Sequence, residues 1–204
     1  GEIPTLFAFP YGETTEENDA HLQISEALSS GINFIDTAEM YPTCPIRKET
    51  SGETEKIIGN WINNNKDKRK DLILATIVVG NGFKYIRDGG PITKETIKVA
   101  LYVRLKRLKT DYIDLYQLHW PNRGSYHFRS YWNYKPEKQN SKNITDEFLD
   151  IINTLNDLKK EGLIRAIGVS NETCWGVMKL NEIIKDVENL CIASIQNEYS
   201  LMCR

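Results

Sequence analysis

The sequence predicts an α/β fold of parallel βα units, and two observations carry the prediction. Short apolar runs alternate with helical patterns along the whole chain, which is the signature of βαβ connections rather than hairpins. Several of the runs also end on a chemistry-bearing side chain: Ile32-Asn33-Phe34-Ile35 closes on Asp36, and Ile113–Leu118 closes on His119. In parallel α/β sheets and barrels, the carboxyl ends of strands are where chemistry is built.

The elements follow in order. Thr5–Phe9 is the first apolar run, and a helical pattern covers about Thr15–Ser29. Asn33–Asp36 is the second strand, followed by a helix over about Gly52–Asn64. Leu72–Ile77 is the third, with its helix at about Thr93–Lys109. Ile113–His119 leads to a helix at about Thr145–Glu161, and Ala166–Ser170 to one at about Thr173–Val187. Ile192–Gln196 is the last strand, so about six βα units are present. The long stretch Asn122–Asn143 holds Tyr126, His127, Phe128, Tyr131, Trp132 and Tyr134 among polar residues. It fits two readings, a lid over a substrate or an adaptable surface loop.

Composition narrows the function. With 40% hydrophobic and 26% charged residues, the chain reads as one globular domain over residues 1–204. A net charge of −2 without a basic block argues against nucleic-acid binding. No apolar run is long enough for a membrane span, which needs about 18 residues or more. Cys44, Cys174, Cys191 and Cys203 lack metal-site spacing and read as reduced thiols of a cytoplasmic protein. His21 and His127 have no partner pattern and are expected to be solvated. Asp111 and Asp114, at the start of the fourth strand, are expected to be structural.

The stretch FIDTAEMY, Phe34–Tyr41, resembles the Asp/Tyr motif of the aldo-keto reductases, NAD(P)H-dependent carbonyl reductases on a (β/α)8 TIM barrel. Gly52–Gly59, Leu105–Pro121, Gly162–Asn171 and Gln196–Ser200 resemble later family segments in the expected order. The wording is nearest the branch of bacterial Tas-type reductases and potassium-channel beta subunits. The resemblance implies an Asp–Tyr–Lys–His tetrad, with Asp36, Tyr41 and His119 at three of its positions. It also implies Ser170, Asn171 and Gln196 on the nicotinamide carboxamide, Tyr199 stacked on the ring, and Trp120 lining the substrate pocket. The implied cofactor is NADPH, with NADH open, and the implied substrate is a small aldehyde or ketone. An oligomer or partner chain is compatible with the sequence.

Two features depart from the family pattern. Ala75-Thr76-Ile77-Val78 carries Ile77 where the family has the tetrad lysine. An isoleucine cannot pair with Asp36 or lower the pKa of Tyr41 from about 10. Lys84, the nearest downstream lysine, follows Gly80-Asn81-Gly82 on a flexible segment. The second departure is length: a TIM barrel has eight βα units in about 250 residues. A truncated barrel is therefore expected, with apolar surface at its open edges and the adenosine-phosphate segment missing. Ile77 separates two functions, a reductase and a non-catalytic nicotinamide-binding or channel-subunit-like interaction protein.

Overall fold

The computed structural model describes residues 4–128 and 130–202. Among them six strands alternate with five α-helices. In order these are β1 (Thr5–Phe7), α1 (Glu17–Ser29), β2 (Phe34–Ala38), α2 (Glu53–Asn64), β3 (Ile73–Val78), α3 (Lys94–Leu108), β4 (Ile113–Leu118), α4 (Ser141–Lys160), β5 (Ile164–Ser170), α5 (Cys174–Ile184) and β6 (Ile192–Gln196). These are five βα units and a sixth strand of an incomplete (β/α)8-type fold. Cys203 lies outside the described residues.

Of the boundaries that differ from the sequence reading, two have clear local reasons. β1 stops at Phe7, because Pro10 has no N–H and its carbonyl accepts from Glu13, Thr14 and Thr15 in a turn. α4 begins at Ser141, four residues before the predicted Thr145, because the Asn140 side chain caps it by accepting from the Asn143 N–H at 3.1 Å.

Contacts group the chain into two compact units. The first holds residues up to Val78 together with Lys98–Leu115. Its strand order is β1-β2-β3-β4, with β4 entering by its first half. β1 and β2 pair in parallel with Phe7 opposite Asp36. β2 and β3 pair in parallel with Asp36 opposite Ala75 and Ala38 opposite Ile77. β3 is buried from Leu74 to Val78, so its sequence is almost uniformly apolar rather than alternating. On α2 the side chains of Ile57, Ile58, Trp61 and Ile62 are buried, each stabilising by roughly 1.5–3 kcal/mol. The Trp61 indole N–H donates to Ser25 Oγ of α1 at 3.0 Å. Asp114 is structural, as its strand-start position implies: it accepts from Arg69 at 2.8 Å and from the Leu74 N–H at 3.1 Å.

The second unit holds Val79–Ile97 and the chain from Tyr116 onward, ordered β4-β5-β6. α4 buries Ile144, Phe148, Ile151, Ile152, Leu155 and Leu158, a stripe at helical spacing. β5 and β6 pair in parallel, with Ser170 opposite Gln196. Gly168 allows that approach, because a Cβ there would collide with the side chains of Ser194 and Gln117.

Two histidine expectations are corrected. His127 is buried, with Nε2 3.4 Å from the Glu172 carbonyl. His21 is half-buried, with Nε2 3.0 Å from the Ile57 carbonyl and Glu17 one turn away. Both sit where a backbone oxygen offers a partner, which sequence spacing does not display. Phe7 on β1 and Ile195 on β6 are each about half exposed, as expected for strands with one neighbour. No described helix is long and apolar enough to cross a membrane.

Candidate functional site

In the first unit, β2 delivers Asp36 to a buried position two residues before its end. The chain then turns: the Tyr41 N–H donates to the Ala38 carbonyl at 3.1 Å, and the Gly52 N–H donates to the Tyr41 carbonyl at 2.8 Å. Tyr41 is thereby held between the end of β2 and the start of α2. Gly52 sits at φ +86°, and a Cβ on it would strike the Arg107 guanidinium, so glycine is required twice over. Burial, then the charge of Asp36, push the Tyr41 phenol well above the ordinary tyrosine range.

Strand register places Ile77 on the Asp36 side. Asp36 is opposite Ala75 and Ala38 opposite Ile77, and alternate residues share a face. Asp36, Ala38, Ala75 and Ile77 therefore lie on one face, where the buried Ile77 side chain adds apolar bulk and no charge.

The opposite face carries a cation that the sequence reading missed. Arg104 of α3 is fully buried. Its Nη2 lies 2.9 Å from Glu39 Oε2, and its Nε lies 3.4 Å from Glu55 Oε1 and 3.2 Å from Thr76 Oγ1. The Thr76 hydroxyl donates to Glu55 Oε1 at 2.8 Å, and Arg107 donates to Glu55 Oε2 at 3.2 Å. Two guanidinium groups thus balance two carboxylates. The signal was available: Ile97, Ala100, Leu101, Arg104 and Leu108 form the buried stripe of α3, and a charge on that stripe needs partners. This guanidinium donates to Thr76 Oγ1, whose side chain lies on the face of β3 opposite to Ile77.

In the second unit, His119 follows β4 directly and is buried, with its ring 4.5 Å from that of Trp120. Its carbonyl accepts from Asn171 Nδ2 at 2.9 Å. Asn171 adopts φ +50°, a conformation asparagine tolerates. Its N–H donates to the Gln196 carbonyl at 3.0 Å, and Ser170 Oγ donates to the same oxygen at 2.7 Å. Ser170, Asn171, Gln196 and the His119 backbone are therefore brought together. The cap of α5 is instead Thr173, whose hydroxyl accepts from the Gly176 N–H at 3.1 Å. Tyr199 is mostly exposed.

Trp120 is held by its indole N–H donating to the Asn81 carbonyl at 3.2 Å and by close approach to Gly80. Phe83 and Phe128 pack against it at 6.1 and 5.6 Å between ring centroids. Phe83 was not singled out from sequence, and Phe128 was named only within the Asn122–Asn143 stretch read as a lid or a surface loop, since both lie on irregular segments without periodicity. Lys84 is exposed. Arg123, bidentate to Glu172, ties the β4–α4 connection to the turn after β5.

Six parallel strands alternating with five helices, with Asp36 and His119 at or just beyond strand ends, define an incomplete α/β-barrel fold. A family model described as aldo/keto reductase family matches residues 7–204, and the chain belongs to that family. It is 41% identical over 208 residues to protein tas of Escherichia coli, covering 100% of this chain and 58% of that protein. It is 34% identical to the Bacillus subtilis protein named uncharacterized oxidoreductase YqkF, covering 93% of this chain and 50% of the other. Among solved structures, the holo form of an aldo-keto reductase from Bacillus halodurans superposes with a TM-score of 0.64 at 32% identity, covering 96% of this chain and 53% of that one. The chain thus spans between half and three fifths of the length of these two relatives.

Proposed function

We propose that this protein binds a reduced nicotinamide dinucleotide, NADPH or NADH, and derives from a reductase of aldehydes and ketones. The observation that carries the reading is the Ser170–Asn171–Gln196 cluster tied to the backbone of His119. It gathers amide and hydroxyl groups that suit a carboxamide, beside an uncovered phenol ring at Tyr199 that suits a π-face. Bound NADPH supplies hydride to a carbonyl carbon. In the family pattern, His119 would orient the carbonyl oxygen, Trp120 would wall the substrate side, and Tyr41 would hold the proton that the oxygen needs.

That proton is poorly available. The phenol is held protonated by burial and by Asp36, and Ile77 supplies no charge to favour its release. This favours the second reading, a nicotinamide-binding protein with little turnover that serves as an interaction protein. A cytoplasmic location is proposed on the free, exposed thiols of Cys44, Cys174 and Cys191.

The test is NADPH titration by nicotinamide fluorescence, followed by NADPH oxidation with an aromatic aldehyde. Saturable binding with negligible turnover, and turnover gained by Ile77→Lys, is expected. No binding at millimolar NADPH sinks the cofactor reading. Binding with an inert Ile77→Lys variant sinks the catalytic one.

A further inference from the structure

A cavity of about 610 Å³ opens between the β4–α4 connection and the start of α5, walled by Tyr126, Tyr134, Ile144, Thr173, Cys174 and Trp175. None of these residues belongs to the cluster of His119, Ser170, Asn171 and Gln196. We propose that this cavity is a binding site for an uncharged, planar aromatic small molecule.

The size falls within the range of about 300–1,000 Å³ typical of small-molecule sites. Three aromatic side chains line it, and such rings hold a planar aromatic ligand by offset or edge contacts. The walls are held in place before any ligand arrives. Tyr126 and Tyr134 pack edge to face at 6.2 Å. The Arg123 guanidinium lies 5.3 Å over the Trp175 ring and donates to Thr173 Oγ1 at 3.1 Å. The Gln139 side chain, also on the lining, donates to the Arg123 carbonyl at 3.1 Å.

Charge selects the ligand class. Among the described residues no lining residue is charged, so an ionic ligand would lose hydration there without gaining a partner from them. A cation would also meet a Trp175 ring already polarised by Arg123. Arg123 itself is neutralised by Glu172, which leaves it unavailable to an anion.

Cys174 provides a reporter, since its thiol is exposed and on the lining. The experiment measures iodoacetamide alkylation at each cysteine by peptide mass spectrometry, with 2-naphthol as the probe and Cys44 and Cys191 as internal references. Saturating 2-naphthol is expected to slow Cys174 at least about fivefold and to leave the reference thiols unchanged, since a pocket covers most of its ligand. Phenyltrimethylammonium and naphthalene-2-sulfonate are expected to protect far less. Trp175→Leu, and separately Tyr134→Leu on the other wall, should abolish protection. Unchanged Cys174 labelling up to the solubility limit of 2-naphthol overturns the site, as does equal slowing at all three cysteines. Equal protection by either ion overturns the ligand class.

Discussion

Arg104 Nη2 lies 2.9 Å from Glu39 Oε2, and the same nitrogen donates to the Ile77 carbonyl at 3.2 Å. That carbonyl also accepts from the Glu39 N–H at 3.2 Å. One buried cation therefore joins the stretch between Asp36 and Tyr41 to the end of β3. Removing it takes that cation from the buried Glu39 and leaves the buried Glu55 with Arg107 as its cation. Arg104→Met is expected to destabilise the fold by about 3–5 kcal/mol, the cost of leaving a buried charge uncompensated. Urea unfolding measures this. Adding Glu39→Gln and Glu55→Gln should recover part of the loss, because the uncompensated charges are then gone. A loss below about 1 kcal/mol would mean that the carboxylates find water or other partners.

Ile77→Lys should act on Tyr41 without disturbing the β3 backbone, because the hydrogen bonds at position 77 run through its carbonyl. The new side chain would project on the Asp36 face. An ammonium there favours the ionised phenol, so the Tyr41 pKa should fall from its raised value. The tyrosinate absorbance difference between Ile77→Lys and Ile77→Lys/Tyr41→Phe reads Tyr41 alone. A Tyr41 midpoint as high as in the parent chain would show that position 77 does not reach the phenol.

Tyr11 is fully buried, and among the described residues its hydroxyl has no hydrogen-bond partner. Burial pushes its pKa up to about 12 from 10.0. A pKa raised on folding gives stability that is complete below the unfolded value and is lost as pH rises through the folded one. Stability should therefore decline between about pH 10 and 12, with Tyr41 contributing in the same direction. Tyr11→Phe removes an unpaired buried hydroxyl. It should leave Tm at neutral pH unchanged or higher, by up to about 1–3 kcal/mol in stability, and flatten the alkaline decline. A clear loss of stability at neutral pH would reveal a partner for that hydroxyl.

The fold was legible because β3, β4 and the helical stripes are patterned by burial alone. The strand-end positions of Asp36 and His119 followed from the same pattern, and the identity of Ile77 could be read directly. The Arg104 cluster was not legible, because pairing Glu39 with an arginine 65 positions later needs the register of β2 on β3 and the phase of α3. His127 was misread for a similar reason: its partner is a backbone carbonyl at Glu172, and backbone atoms carry no sequence signal. Phe83 and Phe128 acquire their role only through packing on Trp120.

Asn171 separates backbone conformation from side-chain bonding. At φ +50° an alanine costs about 1–2 kcal/mol of steric strain, whereas glycine adopts the angle freely at an entropic cost of about 0.5–1 kcal/mol. Both replacements lose the same bonds, from Nδ2 to the His119 carbonyl and to Ser170 Oγ. Asn171→Gly should therefore be more stable than Asn171→Ala by about 0.5–1 kcal/mol in urea unfolding. NADPH affinity should fall in both, because neither offers the amide. If the glycine variant instead binds as the parent does, the Asn171 side chain serves only to hold the turn, and the carboxamide contact must come from Ser170 and Gln196.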